Sequence, residues 1–172
     1  MSHIHNVIDT DTHYVIDSAS REIANAFEIK NILVQHDHNS ERLTFEISRY
    51  IDKYDLLNCN NNEIIFVNID KIEKEKNYGS YTIKDLKEKE DDENTLVFTW
   101  LVSNEATKYV GSIEFGIRFQ CIENDNVDYS WNTATFKIKV IAGMPEDIDS
   151  LVEVVELKPE FWYERIEDSW IM

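Results

Sequence analysis

All five histidines of the chain lie within its first 38 residues, interspersed with acidic residues. One residue separates His3 from His5 and His36 from His38, so each pair would lie on one side of an extended strand. Imidazoles placed in this way can share a transition metal such as zinc or nickel, or titrate in a pH-sensitive contact. Histidines are also common in polar turns and terminal arms that bind no metal. The sequence has no HExxH motif, in which two histidines on one helix bind zinc. We predict no metal and no cofactor, and keep these four histidines as the candidate ligands.

The residue patterns that accompany catalysis are missing from the sequence. No serine, threonine or cysteine is flanked by the glycines of a nucleophile elbow, and the four glycines form no phosphate-binding loop. Carboxylates are so abundant that a pair of them does not distinguish a glycosidase from an acidic surface. The sequence therefore predicts a protein that is not an enzyme.

Two aromatic residues near a turn, Tyr129 and Trp131, are candidates for glycan binding. Aromatic rings can stack on sugars, but they more often fill a core or pack against another subunit. Trp100 lies in an apolar stretch and is predicted to be a core residue.

The charge of the chain limits its partners. Asp and Glu number 34 against 17 Lys and Arg, which gives a net charge of −17. This charge repels phosphate, so nucleic acid and anionic membranes are predicted to be poor partners. No window of 18 apolar residues and no secretion signal occurs, and we expect synthesis in a cytosol. Cys59 and Cys121 have no short spacing, and we expect both to be reduced.

The middle of the chain, residues 31–142, alternates apolar and polar residues with a period of two, which predicts strands with one buried face. The clearest examples are Leu43–Ile47, Ile113–Cys121 and Ala134–Val140. Polar turns separate seven or eight such strands, and the acidic stretch Asp85–Asn94 is expected to be a loop or one helical turn. We predict an all-β fold, an antiparallel immunoglobulin-like β-sandwich with an extended N-terminal arm and a short helical C-terminal tail.

The two ends are predicted to be docking segments. Residues 1–30 form an arm in which a turn near Asp17 joins two short strands, and residues 143–172 form an acidic, aromatic segment. From residue 145 this segment has nine acids and two bases, with Ile148, Leu151, Val152 and Val155 at helical spacing. The predicted partner-binding residues of the two ends are Tyr14, Ile16, Ile23, Leu151, Val155, Phe161, Trp162, Ile166 and Trp170.

Four stretches of the body resemble small tail or baseplate proteins of phages and prophages of Gram-positive bacteria. They are Asp37–Tyr50, Trp100–Gly111, Phe115–Phe119 and Tyr129–Thr133. Together they are similar to the N-terminal domain of the phage baseplate upper protein family, and Tyr14–Ile23 looks like the strand-turn-strand that opens many such proteins. The resemblance covers residues 3–141. It does not reach the tail, where the family often continues into a fibre or receptor-binding region, and this favours a connector or decorating subunit.

The resemblance implies a non-enzymatic virion structural protein, made in the host bacterial cytoplasm and located in the tail or baseplate of the particle. Its partners would be other virion structural proteins and copies of itself, with no nucleic acid and no membrane. Exposed Ile65, Val67 and Ile141 would then belong to interfaces. The alternatives are a head decoration or head-fibre subunit, and a carbohydrate-binding module that recognises host cell-wall glycan through Tyr129 and Trp131. A metal-dependent enzyme at the histidine-rich end is a third hypothesis.

Overall fold

The computed structural model describes residues 13–26 and 32–144, which form twelve strands. They include a short 3-10 turn, Leu56–Asn58, and no α-helix, so the all-β prediction is confirmed for this part of the chain. The predicted helical tail and the pair His3 and His5 lie outside the described residues.

The first sheet has four strands and supplies one half of the core. Its order is β1 (Tyr14–Ile16), β3 (Glu41–Ser48), β9 (Asp92–Val102) and β8 (Lys87–Lys89). Alternate residues of the two central strands β3 and β9 are buried, as their period-two pattern predicts. The buried residues of β3 and β9 are Leu43, Phe45, Ile47, Leu96, Phe98, Trp100 and Val102.

The second sheet has six strands. Its main order is β2 (Ile32–Val34), β12 (Phe136–Ile141), β10 (Gly111–Glu123), β6 (Asn61–Asp70) and β7 (Lys76–Thr82). Strand β12 pairs with the first part of β10, and β11 (Asn126–Asn132) pairs with its second part. A separate small hairpin consists of β4 (Tyr50–Ile51) and β5 (Tyr54–Asp55).

Aromatic side chains from the two sheets meet in the core. The rings of Phe98 and Phe119 lie 5.6 Å apart, those of Trp100 and Phe115 lie 5.1 Å apart, and Phe66 stacks on Trp100 at 5.7 Å. Such pairs add about 0.5–1.5 kcal/mol each beyond the area that they bury. Trp100 is only 1% exposed, which confirms its predicted place in the core.

The two sheets are mixed, which differs from the purely antiparallel arrangement predicted. Strand β1 pairs with β3 in parallel, and β2 pairs with β12 in parallel. Both are edge strands of three residues, and residues 17–31 connect one sheet to the other between them. Alternation along a strand reports which face is buried but not the direction of its neighbour, so this pairing was not predictable from period alone.

Two local predictions were wrong. The acidic stretch Asp85–Asn94 contains β8 and the start of β9, joined by a turn at Asp91, whose φ is 67°. Both strands are exposed there, so no apolar alternation marks them. Cys59 and Cys121 form a disulfide that links the end of the 3-10 turn to β10, in contrast to the reduced thiols expected. The two residues are 62 apart in sequence, and only the pairing of β6 with β10 brings them together.

Candidate docking surface

The predicted metal ligands within the described part of the chain are exposed and separately placed. His36 has a left-handed backbone with a φ of 75°, and the Nδ1 atom of His38 accepts a hydrogen bond from the Asn104 N–H at 3.0 Å. Within residues 13–26 and 32–144, no three histidine, cysteine, aspartate or glutamate side chains come together as metal ligands would. The structure thus does not group His36 and His38 with other ligands in the region it describes.

The described part of the predicted N-terminal arm packs on the body of this chain. Tyr14 and Ile16 are 2% and 3% exposed, and the Tyr14 ring contacts that of Phe45 at a centroid distance of 5.1 Å. Burial, with a smaller contribution from the charge of Glu41, raises the pKa of Tyr14 well above its usual range. Ile23 is half-buried and pairs with Ile16 across the turn. Both side chains are largely buried against the core of this chain, and their partner-binding role stays a prediction.

The two rings predicted to bind glycan do not form an exposed platform. Trp131 is 2% exposed, opposite Phe119 in the second sheet, and the guanidinium of Arg21 lies 5.1 Å from the centre of its ring. Tyr129 is half-buried and stacks on Tyr54 at 3.8 Å. Burial raises the pKa of Tyr129, and the charge of Asp52 adds to that effect. A sugar could stack on Trp131 only after Arg21 had moved away.

The outer face of the second sheet carries an apolar surface, which we call the docking face. It consists of Ile65, Val67 and Ile69, whose side chains alternate with the buried residues of β6, and Tyr78, which lies opposite Val67 on β7. Tyr78 is 71% exposed and Ile65 is 37% exposed. The sequence had singled out Ile65 and Val67. Tyr78 was missed because the two tyrosines of the polar strand β7, Tyr78 and Tyr81, are three residues apart and show no period of two.

A groove continues the docking face at the end of the sheet. Its volume is about 640 Å³, and we call it the lysine groove. The turn after β6, the start of β10 and the end of β12 form its walls. The apolar and charged residues that line it are Ile69, Ile72, Val110, Val140, Ile141, Ala142, Asp70, Lys71, Lys74 and Lys139.

A buried amide fixes one wall of the lysine groove. Asn68 is fully buried, and its Nδ2 donates to the carbonyl oxygens of Tyr109 and Ser112, both at 3.0 Å. Its Oδ1 accepts from the Tyr109 N–H at 2.6 Å, so the amide holds the loop before β10 against β6. The Lys71 N–H donates to the Val110 carbonyl at 2.8 Å and joins the same loop to the turn after β6. The groove is therefore part of the rigid body of the fold.

Polar clusters elsewhere on the surface join strands to one another. On the first sheet, Glu46 accepts from Lys89 at 2.9 Å and lies 2.6 Å from Nδ1 of His13. Burial acts to raise the pKa of Glu46, but the hydrogen bonds and charges of Lys89 and His13 outweigh it and the net shift is downward. The cluster ties the segment before β1 and strand β8 to β3, which is a structural role.

Comparison with known proteins gives only a slight likeness to a solved structure. No protein-family model and no curated protein matches the chain. Among solved structures, the chain is similar to the N-terminal domain of phage TP901-1 ORF48, with 15% sequence identity and a TM-score of 0.35. The match covers 64% of this chain and 85% of that domain's chain. A likeness of this size defines neither fold nor function.

Among the described residues, no helix has the length and apolar character needed to cross a membrane.

Proposed function

We propose that this protein is a non-enzymatic structural subunit of a phage particle, a connector or decorating subunit of the tail or baseplate. Its partners are other virion structural proteins and further copies of the chain. The docking face, the N-terminal arm and the aromatic stretch Phe161–Trp170 make the contacts, and the chain resides in the virion after synthesis in the host bacterial cytoplasm.

The observation that carries this proposal is the docking face. Ile65, Val67, Ile69 and Tyr78 form a contiguous apolar surface on the outside of a sheet whose inner face already fills the core. Contiguous exposed apolar surface on a soluble protein typically marks a contact with another macromolecule. A sheet held rigid by a packed aromatic core loses little conformational entropy when it docks, which favours assembly.

The sequence resemblance supports the class of assembly. The stretches Asp37–Tyr50 and Trp100–Gly111 and their neighbours resemble phage tail and baseplate proteins in their order along the chain. In the structure these stretches fall on β3, β9 and the loop after β9, so they form part of the two-sheet body.

Charge determines which contacts are favourable. A net charge of −17 on every copy opposes the packing of identical subunits at low ionic strength. Neighbours with basic surfaces, or bound cations, would offset this repulsion.

The proposal is tested on particles of the phage or prophage that encodes the chain. Quantitative mass spectrometry of purified particles should find the chain at a fixed ratio to the major tail protein, and antibody labelling in electron micrographs should place it at the tail end. Label on the head would favour the head-decoration alternative over a tail subunit. Absence of the chain from purified particles would overturn the proposal.

A pair of variants separates the docking face from general surface effects. Val67→Asp on the docking face should lower the amount of chain per particle at least about tenfold, because it places a charge in an apolar contact. Val127→Asp is the matched control, since Val127 is 55% exposed on β11, away from that face. Equal incorporation of both variants would exclude the docking face as the assembly contact.

A further inference from the structure

The lysine groove has an apolar lining that the described part of the chain leaves open. Ile72 is 84% exposed and Ile141 is 37% exposed, and both line the groove together with Ile69. An apolar concavity of about 640 Å³ is large enough to accept several side chains of a peptide segment.

The charges around the groove select an acidic occupant. Its lining contains three lysines, Lys71, Lys74 and Lys139, and only one carboxylate, that of Asp70. Asp70 is engaged by its own turn, because its Oδ2 accepts from the N–H groups of Ile72 at 3.2 Å and Glu73 at 2.5 Å. None of the three lysines forms an ion pair with another residue of the described ranges. An acidic segment would therefore find unpaired cations beside an apolar surface.

The described part of the chain ends beside this groove, at Met144. Ala142 lines the groove, and Gly143 packs so closely against the carbonyl oxygen of Gln35 that a Cβ would not fit. The Gln35 N–H donates to the carbonyl of Ile141 at 2.9 Å, which fixes the last residues before the exit. Residues 141–143 are thus held in place beside the groove.

The residues that follow match the groove in chemistry. Residues 145–155 contain four acids, Glu146, Asp147, Asp149 and Glu153, and no base. Their apolar residues recur at helical spacing, and eleven residues of helix would span about 16 Å. A short tether also gives an intramolecular ligand an effective concentration on the order of millimolar, which favours it over a separate molecule.

We propose that residues 145–155 dock in the lysine groove of their own chain, with their acids on Lys71, Lys74 and Lys139 and their apolar residues on Ile69, Ile72 and Ile141. This contact positions the aromatic stretch Phe161–Trp170 relative to the body. It does not depend on the proposed function, because it can be measured on the isolated full-length protein.

Hydrogen exchange of the full chain, followed by mass spectrometry, tests the proposal. Amides of residues 145–155 should exchange at least about tenfold more slowly than the same sequence as a free peptide. The triple variant Lys71→Glu, Lys74→Glu, Lys139→Glu should abolish that protection. The matched control Lys53→Glu, Lys84→Glu, Lys87→Glu changes the net charge equally at exposed lysines outside the groove, and should retain it.

A charge swap makes the test specific. Replacing Glu146, Asp147, Asp149 and Glu153 by lysine in the groove triple variant should restore at least half of the lost protection. Unprotected amides in the unmodified protein, or equal loss in the control variant, would overturn the proposal. Protection that disappears on hundredfold dilution would place the segment on a second copy, which also contradicts docking within one chain.

Discussion

Arg49 and Asp55 form a two-pronged ion pair, with Nε donating to Oδ1 and Nη2 donating to Oδ2, both at 3.0 Å. The same guanidinium reaches Glu88 at 2.6 Å and lies over the ring of Tyr50 at 5.3 Å. Arg49 therefore joins the β4–β5 hairpin to the edge of the first sheet, and the geometry is the bidentate form that Arg favours.

This ion pair makes stability depend on pH in the acid range. The hydrogen bond from Arg49 lowers the pKa of Asp55 below its ordinary value of 3.8 despite an opposing effect of burial. A carboxyl with a lowered pKa in the folded state contributes stability above its ordinary pKa and loses it as pH falls through the folded value. We expect Asp55→Asn to flatten the decline in unfolding free energy below about pH 4, measured by urea titration. Asp128→Asn, at an exposed site, should leave the decline unchanged; equal flattening would contradict the assignment.

The buried amide of Asn68 should be a large contributor to stability. Asn68→Ala leaves the Tyr109 N–H and two carbonyls without their buried partner, and we expect a loss of about 2–3 kcal/mol in unfolding free energy. Asn77→Ala is the control, because Asn77 is only half-buried and its Nδ2 donates once, to the Glu105 carbonyl at 2.6 Å. A loss of under about 1 kcal/mol is expected there. Equal losses in the two variants, by denaturant titration, would show that burial of Asn68 contributes nothing.

Gly79 should not tolerate a side chain. It lies opposite Phe66 on the neighbouring strand, and a Cβ at this position would overlap the Phe66 ring. We expect Gly79→Ala to cost about 1–3 kcal/mol, because an overpacked core must shift. Gly116→Ala offers a strand position where the nearest atom to a Cβ is 3.7 Å away, an ordinary contact. Its thermal midpoint should be close to that of the unmodified protein, and a drop as large as that of Gly79→Ala would refute the steric argument.

The disulfide should stabilise the fold through the unfolded state. Its two cysteines are 62 residues apart, and closing a loop of that length lowers the entropy of the unfolded chain and so raises its free energy by about 4 kcal/mol at 25 °C. Reduction should therefore lower the urea midpoint of the unmodified protein. The double variant Cys59→Ala, Cys121→Ala should start at the lower midpoint and not respond to reductant. If reductant also leaves the urea midpoint of the unmodified protein unchanged, the disulfide is not formed or does not stabilise the fold.

Salt should strengthen self-association. Repulsion between copies of charge −17 is screened over about 8 Å at 0.15 M ionic strength, and over longer distances at lower salt. Sedimentation velocity at about 20 mM NaCl, where screening is weak, and at about 500 mM NaCl, where it is strong, should show a larger average mass at the higher concentration. A monomer at both salt concentrations would count against the prediction that copies of this chain bind one another.

The positions of the strands along the chain were easier to predict from the sequence than the pairing of strands within the sheets. The alternation of Ile113, Phe115, Ile117 and Phe119 marks β10 and its buried face without ambiguity, because a one-residue slip would expose every one of them. The parallel pairings of β1 and β2 depend on contacts far apart in sequence, and three-residue strands have too little pattern to show them.

The functional surface was harder to predict from the sequence than the strands were. Ile65, Val67 and Ile141 are apolar residues on otherwise polar faces, and this local contrast was enough to identify them. Trp131 shares its strand face with Tyr129, but only the register with β10, which places it opposite Phe119, shows that the ring points into the core. The lysine groove combines three segments distant in sequence, so no local pattern could mark it.

The late pairing of β2 has a consequence for biosynthesis. Ile32 pairs with Lys139, so a strand that leaves the ribosome early has its described partner only near the end of the body. Strand β1 meets β3 much sooner, since Tyr14 pairs with Phe45. The first sheet can thus begin to assemble during translation, whereas the second cannot close its edge until β12 has emerged, and the nascent chain must keep that edge from wrong pairing in the meantime.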